Sequence, residues 1–107
     1  MIADVTSYSA EQILSCAQVI ARAMTVSEIW LFGSTARRDG HADSDVDLLV
    51  ILPDDHGHER PTYDAVLALS LAGVSVPTDV IVITNSQKHA PPSPIIEEAL
   101  REGRRIL

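Results

Sequence analysis

The stretch Leu31-Phe32-Gly33-Ser34 is followed, after residues 35–44, by Asp45-Val46-Asp47-Leu48-Leu49-Val50-Ile51-Leu52. The second half is an apolar run of strand length, yet two aspartates open it, and strands are depleted in Asp. Carboxylates set against an apolar sheet are costly unless something neutralises them. Side chains two apart on a strand share a face. Asp45 and Asp47 therefore project together, while Val46 and Leu48 turn the other way into the core. Two ionised carboxylates this close repel, and a cation between them removes the repulsion. Mg²⁺ suits the pair, because it takes hard oxygen ligands, few of them from protein, and completes its octahedron with waters and phosphates. The same residues also fit a strand-end cap followed by an exposed edge position.

The turn before the pair is the natural phosphate seat. A strand that ends in Gly33-Ser34 and enters a helix points backbone N–H groups at one spot, and helix N-termini attract phosphate. Gly33 lets the backbone come close, and the Ser34 hydroxyl adds a donor. An ordinary strand-to-helix turn has the same sequence. Asp79 is the third carboxylate: it opens the run Val80-Ile81-Val82-Ile83 much as Asp47 stands near the start of its own. If the two strands are neighbours, three carboxylates converge, enough for two metal ions clamping the attacking and leaving oxygens of a phosphoryl displacement. Otherwise Asp79 is a turn residue after Pro77-Thr78.

Working outward, Ser9 with Gln12 makes a capping box. Ile13, Leu14, Ala17, Ile20, Ala21 and Met24 recur at helical spacing, so a helix is predicted over 9–24. Residues 27–32 read as a short strand, 34–38 as a short helix, 39–44 as a polar loop and 45–52 as the second strand, closed by Pro53. After a charged loop at 54–59, a helix is predicted over 60–72, with Tyr63, Val66, Leu67, Leu69 and Leu71 as its core face and Gly73 as its stop. The third strand covers 80–83. Ser93-Pro94 is an N-cap with Pro at the first helical position. It starts a last helix that turns Ile95, Ile96, Ala99 and Leu100 inward and ends at Gly103. Arg104 to Leu107 is a tail with edge-strand character. The order is α-β-α-β-α-β-α, with helices on one or both faces of the sheet.

At 107 residues, the chain reads as one domain over 1–107. The 15 acidic against 8 basic residues leave a net charge of −7. Such a surface is poorly suited to gripping a polynucleotide, which relies on Lys and Arg, and suits solubility or a basic protein partner. Cys16 stands alone, so neither a disulfide framework nor a cysteine-based zinc site can be built. Its helical neighbours mark it as a buried structural thiol. With no signal-peptide pattern and no apolar run near the ~20 residues of a membrane span, a cytoplasmic location without membrane contact is expected.

In their order and spacing, Gly33-Ser34, the ten intervening residues, Asp45-x-Asp47 and the later strand-borne Asp79 resemble the nucleotidyltransferase superfamily that includes DNA polymerase beta. Within it the chain is similar to the minimal nucleotidyltransferase family of the antitoxin type. The likeness continues through Phe32, Ala36-Arg37, Ser44 and Asp47-Leu48-Leu49-Val50, and extends to the segment Glu97-Glu98-Ala99-Leu100-Arg101-Glu102-Gly103. Where the family usually carries Gly after the arginine of the turn, this chain has Arg38, and Gly40 follows soon after.

The resemblance implies an α/β (α+β) fold of the polymerase-beta-like type, a small mixed sheet flanked by helices. It also implies a Mg²⁺-dependent nucleotidyltransferase of the EC 2.7.7 kind. ATP would lie with its phosphates on Gly33 and Ser34, with Arg37 offsetting their charge. Asp45 and Asp47 would hold one Mg²⁺, and Asp79 would ligate a second and help take a proton from the attacking hydroxyl. Small members of the family are antitoxins paired with a HEPN-domain toxin and are expected to transfer AMP to a tyrosine of it. Two further readings remain. One is a catalytically weak or inactive antitoxin that neutralises its partner by complex formation. The other is transfer to a small molecule such as an aminoglycoside, for which no second domain is present to shape a pocket.

Other candidates carry less. His56-Gly57-His58 looks like a metal clip but has no third histidine nearby. His41 and His89 fall in expected loops. Trp30 and Phe32 lie beside the motif and read as core residues of a buried strand rather than as nucleobase stackers, the other role open to them. No Gly-x4-Gly-Lys-Ser/Thr loop is present, which argues against an ATPase of that class.

Overall fold

A computed structural model describes residues 8–33 and 46–107. Among the described residues, eight elements follow one another: α1 (Ala10–Ala23), β1 (Glu28–Phe32), β2 (Val46–Leu52), α2 (Pro61–Leu71), β3 (Thr78–Thr84), α3 (Asn85–His89), α4 (Pro94–Glu102) and β4 (Arg104–Arg105). The four strands form one mixed sheet in the order β3-β2-β1-β4. β2 runs parallel to β3 and antiparallel to β1, and β4 lies antiparallel on the far edge of β1. The parallel pair needs a crossover, and α2 supplies it. The helix expected over 34–38, the loop over 39–44 and the residues Ser34, Arg37, Arg38, His41 and Asp45 lie outside the described residues.

β2 is the centre of the molecule. Six of its seven residues are buried, and the one that is not is Asp47. Alternation along the strand feeds two cores. On one face Ile29, Leu31, Val46, Leu48, Val50 and Leu52 pack with α1 and α2. On the other, Leu49 and Ile51 join Ile83, Ile96 and Ala99, flanked by Trp30, Phe32, Ile81 and Leu100. Helices therefore cover both faces. Residues of the size of Leu and Ile contribute about 1.5–3 kcal/mol each when fully buried, so β2 alone offsets the cost of one carboxylate at its mouth.

The first helix is the one its sequence predicts. The Ser9 hydroxyl accepts the Gln12 backbone N–H at 3.1 Å, and the Gln12 side chain accepts the Ser9 N–H at 2.8 Å. Ile13, Cys16, Ala17 and Ile20 are buried. Burial pushes the Cys16 thiol pKa up against hydrogen bonds that lower it, chiefly from Thr78, in keeping with an inert core cysteine.

α2 corrects an expectation. Its buried residues are Ala65 and Leu69. Tyr63, Val66, Leu67 and Leu71 are exposed, Leu71 to 79%. The helix is apolar on every side, so periodicity does not single out a face. Small Ala65 and Leu69, the latter as expected, are turned to the core, and the other bulky side chains remain outside.

Two smaller differences follow the same logic. Ile95 was expected inward and is 61% exposed, whereas Ile96 and Ala99 fill the core as expected. α3 was not anticipated, although Thr84 and Gln87 form a capping box that marks its start.

The tail closes the sheet as its sequence suggests. Arg104 and Arg105 pair with Leu31 and Trp30, and the Ile106 N–H donates to the Ile29 carbonyl at 2.8 Å. Gly103 ends α4 because of close approach rather than an unusual φ. A Cβ there would overlap the Ala99 carbonyl and sit 2.8 Å from the Leu31 carbonyl oxygen.

Candidate active site

Phe32, Asp47 and Asp79 form one row across the sheet. Phe32 pairs with Asp47 in the antiparallel register, and Asp47 pairs with Asp79 in the parallel one. Neighbouring strands lie about 4.8 Å apart, and paired residues point to the same face. Both carboxylates therefore stand on the face that carries Leu49, Ile51, Ile81 and Ile83, at the end of the sheet where β2 and β3 begin. Asp47 is half-buried and Asp79 exposed.

Local hydrogen bonds fix this register. The Val46 N–H donates to the Pro77 carbonyl at 2.9 Å, so β2 and β3 are already joined one step before the aspartates. The Thr78 hydroxyl donates to the Val76 carbonyl at 2.8 Å and faces Cys16 on the opposite side of the sheet. With Thr78 turned that way, alternation turns Asp79 toward Asp47.

Gly33 completes the described part of the site. Its φ of +75° lies in the left-handed region that favours glycine. A Cβ there would overlap the Asp47 carboxylate oxygen Oδ2 and come within 3.1 Å of its carboxyl carbon. The carboxylate thus occupies the space that a side chain at residue 33 would take. Gly33 and the Asp47 carboxylate are therefore closely packed.

The structure thus brings together Gly33, Asp47 and Asp79. Ser34, Arg37 and Asp45 lie outside the described residues. Among the described residues, no group of three or more His, Cys, Asp or Glu side chains is arranged to hold a metal ion. The histidine clip is occupied locally. His58 donates its backbone N–H to His56 Nδ1 at 2.9 Å, and its Nδ1 lies 2.8 Å from Asp64 Oδ2.

Beside the row lies a pocket of about 140 Å³, lined by Phe32, Gly33, Ile95, Glu98, Ala99 and Glu102. Sequence reasoning missed it. The spacing of residues 95, 98, 99 and 102 marks one helical face, but Ile95 was read as core.

A family model described as nucleotidyltransferase domain matches residues 13–106. The chain belongs to this family. The fold of this nucleotidyltransferase domain is shared by solved structures of low sequence identity. One is a crystal structure of a toxin-antitoxin with AMP-PNP. It is 16% identical with a TM-score of 0.62, over 92% of this chain and 72% of that one. A second is the toxin-antitoxin MntA-HpeT in a mutant form, 14% identical with a TM-score of 0.59, over 92% and 72% of the two chains. A third is a candidate nucleotidyltransferase from Sulfolobus solfataricus, 22% identical with a TM-score of 0.54, over 75% and 70%. Comparison with curated proteins finds no match. No helix among the described residues is long and apolar enough to cross a membrane.

Proposed function

We propose that this nucleotidyltransferase domain transfers AMP from ATP, with Mg²⁺, to a tyrosine of a partner protein, as the antitoxin of a pair with a HEPN-type toxin. The observation that carries the chemistry is the in-register pair Asp47 and Asp79 with Gly33 against the Asp47 carboxylate. Two carboxylates side by side at the end of the sheet suit Mg²⁺, which takes few protein oxygens and leaves room for phosphate. Asp47 and Asp79 would hold the metal, with Asp45 as the further ligand. Bound there, Mg²⁺ would withdraw charge from the phosphate oxygens and ease ionisation of a nearby hydroxyl. The Gly33-Ser34 turn binds the phosphates, and Arg37 offsets their charge.

In the transfer, the phenol oxygen forms a bond to the α-phosphorus, and the bond from that phosphorus to the bridging oxygen of the β-phosphate breaks. Pyrophosphate leaves with that electron pair, and Asp79 takes the phenolic proton and passes it to water. A phenol has a pKa near 10, so at neutral pH its ionisation requires the assistance described above. The acceptor class and the partner rest on resemblance. A protein partner is supported by the toxin-antitoxin neighbours of the same fold, and a nucleotide by the AMP-PNP in one of them.

The test uses α-labelled ATP, Mg²⁺ and the protein encoded beside this one. The wild type labels the partner, and Asp47→Asn lowers the rate by about 100-fold or more. Undiminished labelling by Asp47→Asn defeats the assignment.

A second reading, neutralisation by binding alone, draws on the exposed apolar residues Tyr63, Val66, Leu67 and Leu71 of α2, which offer a contact surface remote from the chemistry. It predicts that an Asp47→Asn, Asp79→Asn double variant still protects against the partner. Loss of protection in that variant rules it out.

A further inference from the structure

β3 lies at one edge of the sheet, and among the described residues no strand pairs with its outer side. The bonds to β2 show which backbone groups face outward. The Val46 N–H donates to the Pro77 carbonyl, and Val46 stands opposite Thr78. In a parallel ladder, alternate residues of a strand direct their backbone groups to a given neighbour. Asp79, Ile81 and Ile83 therefore turn theirs to β2, and Thr78, Val80, Val82 and Thr84 turn theirs outward. Thr84 agrees with this phase, because its N–H is taken by the Gln87 side chain at 3.0 Å. The outward N–H groups of Thr78, Val80 and Val82 have no backbone partner among the described residues.

The two edges of the sheet are treated differently. An open edge is a template for pairing, and natural chains blunt it with short strands, charges or Pro. β4 is two residues long and consists of Arg104 and Arg105. β3 is seven residues long, and beyond Asp79 it runs Val80-Ile81-Val82-Ile83-Thr84 with neither charge nor Pro. Its sequence also nearly matches its own reverse. Laid antiparallel on a second copy about Ile81, Val80 meets Val82 and Thr78 meets Thr84, favourable β-branched and Thr–Thr pairs. The outward groups fit the same centre. Val80 and Val82 of opposite copies exchange both N–H···O=C bonds, the Thr78 N–H donates to the Thr84 carbonyl, and Ile81 faces itself at a non-hydrogen-bonded position.

Charge also favours this edge. Two copies of a chain at −7 repel, and they approach best where charge is sparse. Asp79 is the charge on the strand. It would stand opposite Ile83, so the two Asp79 residues lie about 13 Å apart along the strand direction at about 3.3 Å per residue. That exceeds the screening length of about 8 Å at physiological salt.

We infer that β3 pairs with β3 of a second copy, antiparallel about a two-fold axis at Ile81, joining the two sheets into one. This goes beyond the proposed function and does not depend on it. α2 rests against β3, so the joint brings two α2 helices, with exposed Tyr63, Val66, Leu67 and Leu71, to one face of the joined sheet. They provide apolar surface beside the paired strands. Both Asp47–Asp79 rows lie on the opposite face, and the bonds made by Thr78 and Val80 hold the backbone on either side of Asp79.

The test reads mass, exchange and register on the full chain without nucleotide. Sedimentation equilibrium is expected to give twice the chain mass at high concentration and the single mass on dilution. The amides of Thr78, Val80 and Val82 are expected to exchange about tenfold or more slowly in the concentrated sample. Ile81→Cys is expected to give a disulfide-linked dimer on mild oxidation, since Cα atoms facing at a non-hydrogen-bonded position lie about 4.5 Å apart, within disulfide range. Val80→Cys, which meets Val82 and not itself, and the wild type, whose Cys16 is buried, are expected not to. A single-chain mass at every concentration overturns the inference. So does a dimer whose three amides exchange as fast as in dilute solution, because the contact is then elsewhere, or equal cross-linking of Val80→Cys and Ile81→Cys. Mass and exchange are read on the wild type, so neither depends on a variant folding.

Discussion

Glu28 shows how the chain holds a charge at the end of the sheet away from the aspartates. Lys88 Nζ donates to both of its carboxylate oxygens at 2.9 Å, and Trp30 Nε1 donates to Oε1 at 2.8 Å. The ammonium also stands 5.7 Å from the centre of the Trp30 ring, within cation–π reach. Burial pushes the Glu28 carboxyl up. The hydrogen bonds from Lys88 and Trp30, with the charges of Lys88 and Arg105, outweigh that and hold it below the usual glutamate value of 4.5. A carboxyl whose pKa is lower in the folded chain adds stability that is fully present above the ordinary value and is lost as pH falls through the lowered one. Glu28→Gln should therefore cost about 1 kcal/mol at pH 7, the scale of a partly exposed charge-assisted hydrogen bond. The gap between variant and wild type should close as pH falls below about 4.5 and onward through the lowered folded value. Urea midpoints of both proteins at pH 7 and at successively lower pH check this, and a gap that stays constant into acid contradicts it.

At the scale of elements, reading the sequence succeeded where a local signal was unambiguous. The Ser9 capping box, the apolar run of β2 and Ser93-Pro94 at the start of α4 are all local. The neighbouring positions of Asp47 and Asp79 could be posed from sequence only as a condition, because strand order depends on contacts between residues 32 positions apart. The face of α2 was illegible for a different reason. Its apolar residues surround the helix, and tertiary packing turns small Ala65 and one leucine inward rather than the side with most bulk. That outcome can be tested. Leu69→Ala removes a buried side chain and should cost about 2–3 kcal/mol. Leu71→Lys, two positions on and 79% exposed, should stay within about 0.5 kcal/mol of wild type. Comparable losses in the two variants would mean that the helix is rotated from the orientation described.

For the whole molecule, the governing fact is charge. A chain at −7 that places two carboxylates in register at one sheet end repels a triphosphate before any contact forms. Gly33 supplies backbone dipoles and Arg37 is proposed to offset only part of the phosphate charge, so nucleotide binding as proposed at Asp47 and Asp79 should be coupled to a cation. That coupling should appear in thermal stability, because a ligand that binds only the folded state raises it by about 2.7 kcal/mol at a hundred times its dissociation constant. In a domain of this length such a gain moves Tm by about 10 °C or more. ATP and Mg²⁺ together should therefore raise Tm by that amount, ATP with EDTA should raise it by far less, and Mg²⁺ alone should give a small rise. In Asp47→Asn, which keeps the size and shape of the side chain, the joint rise measured from that variant's own unliganded Tm should disappear. An equal rise with ATP in EDTA would mean that the nucleotide binds away from the carboxylates. The in-register aspartates would then be a feature of the sheet and not of its chemistry.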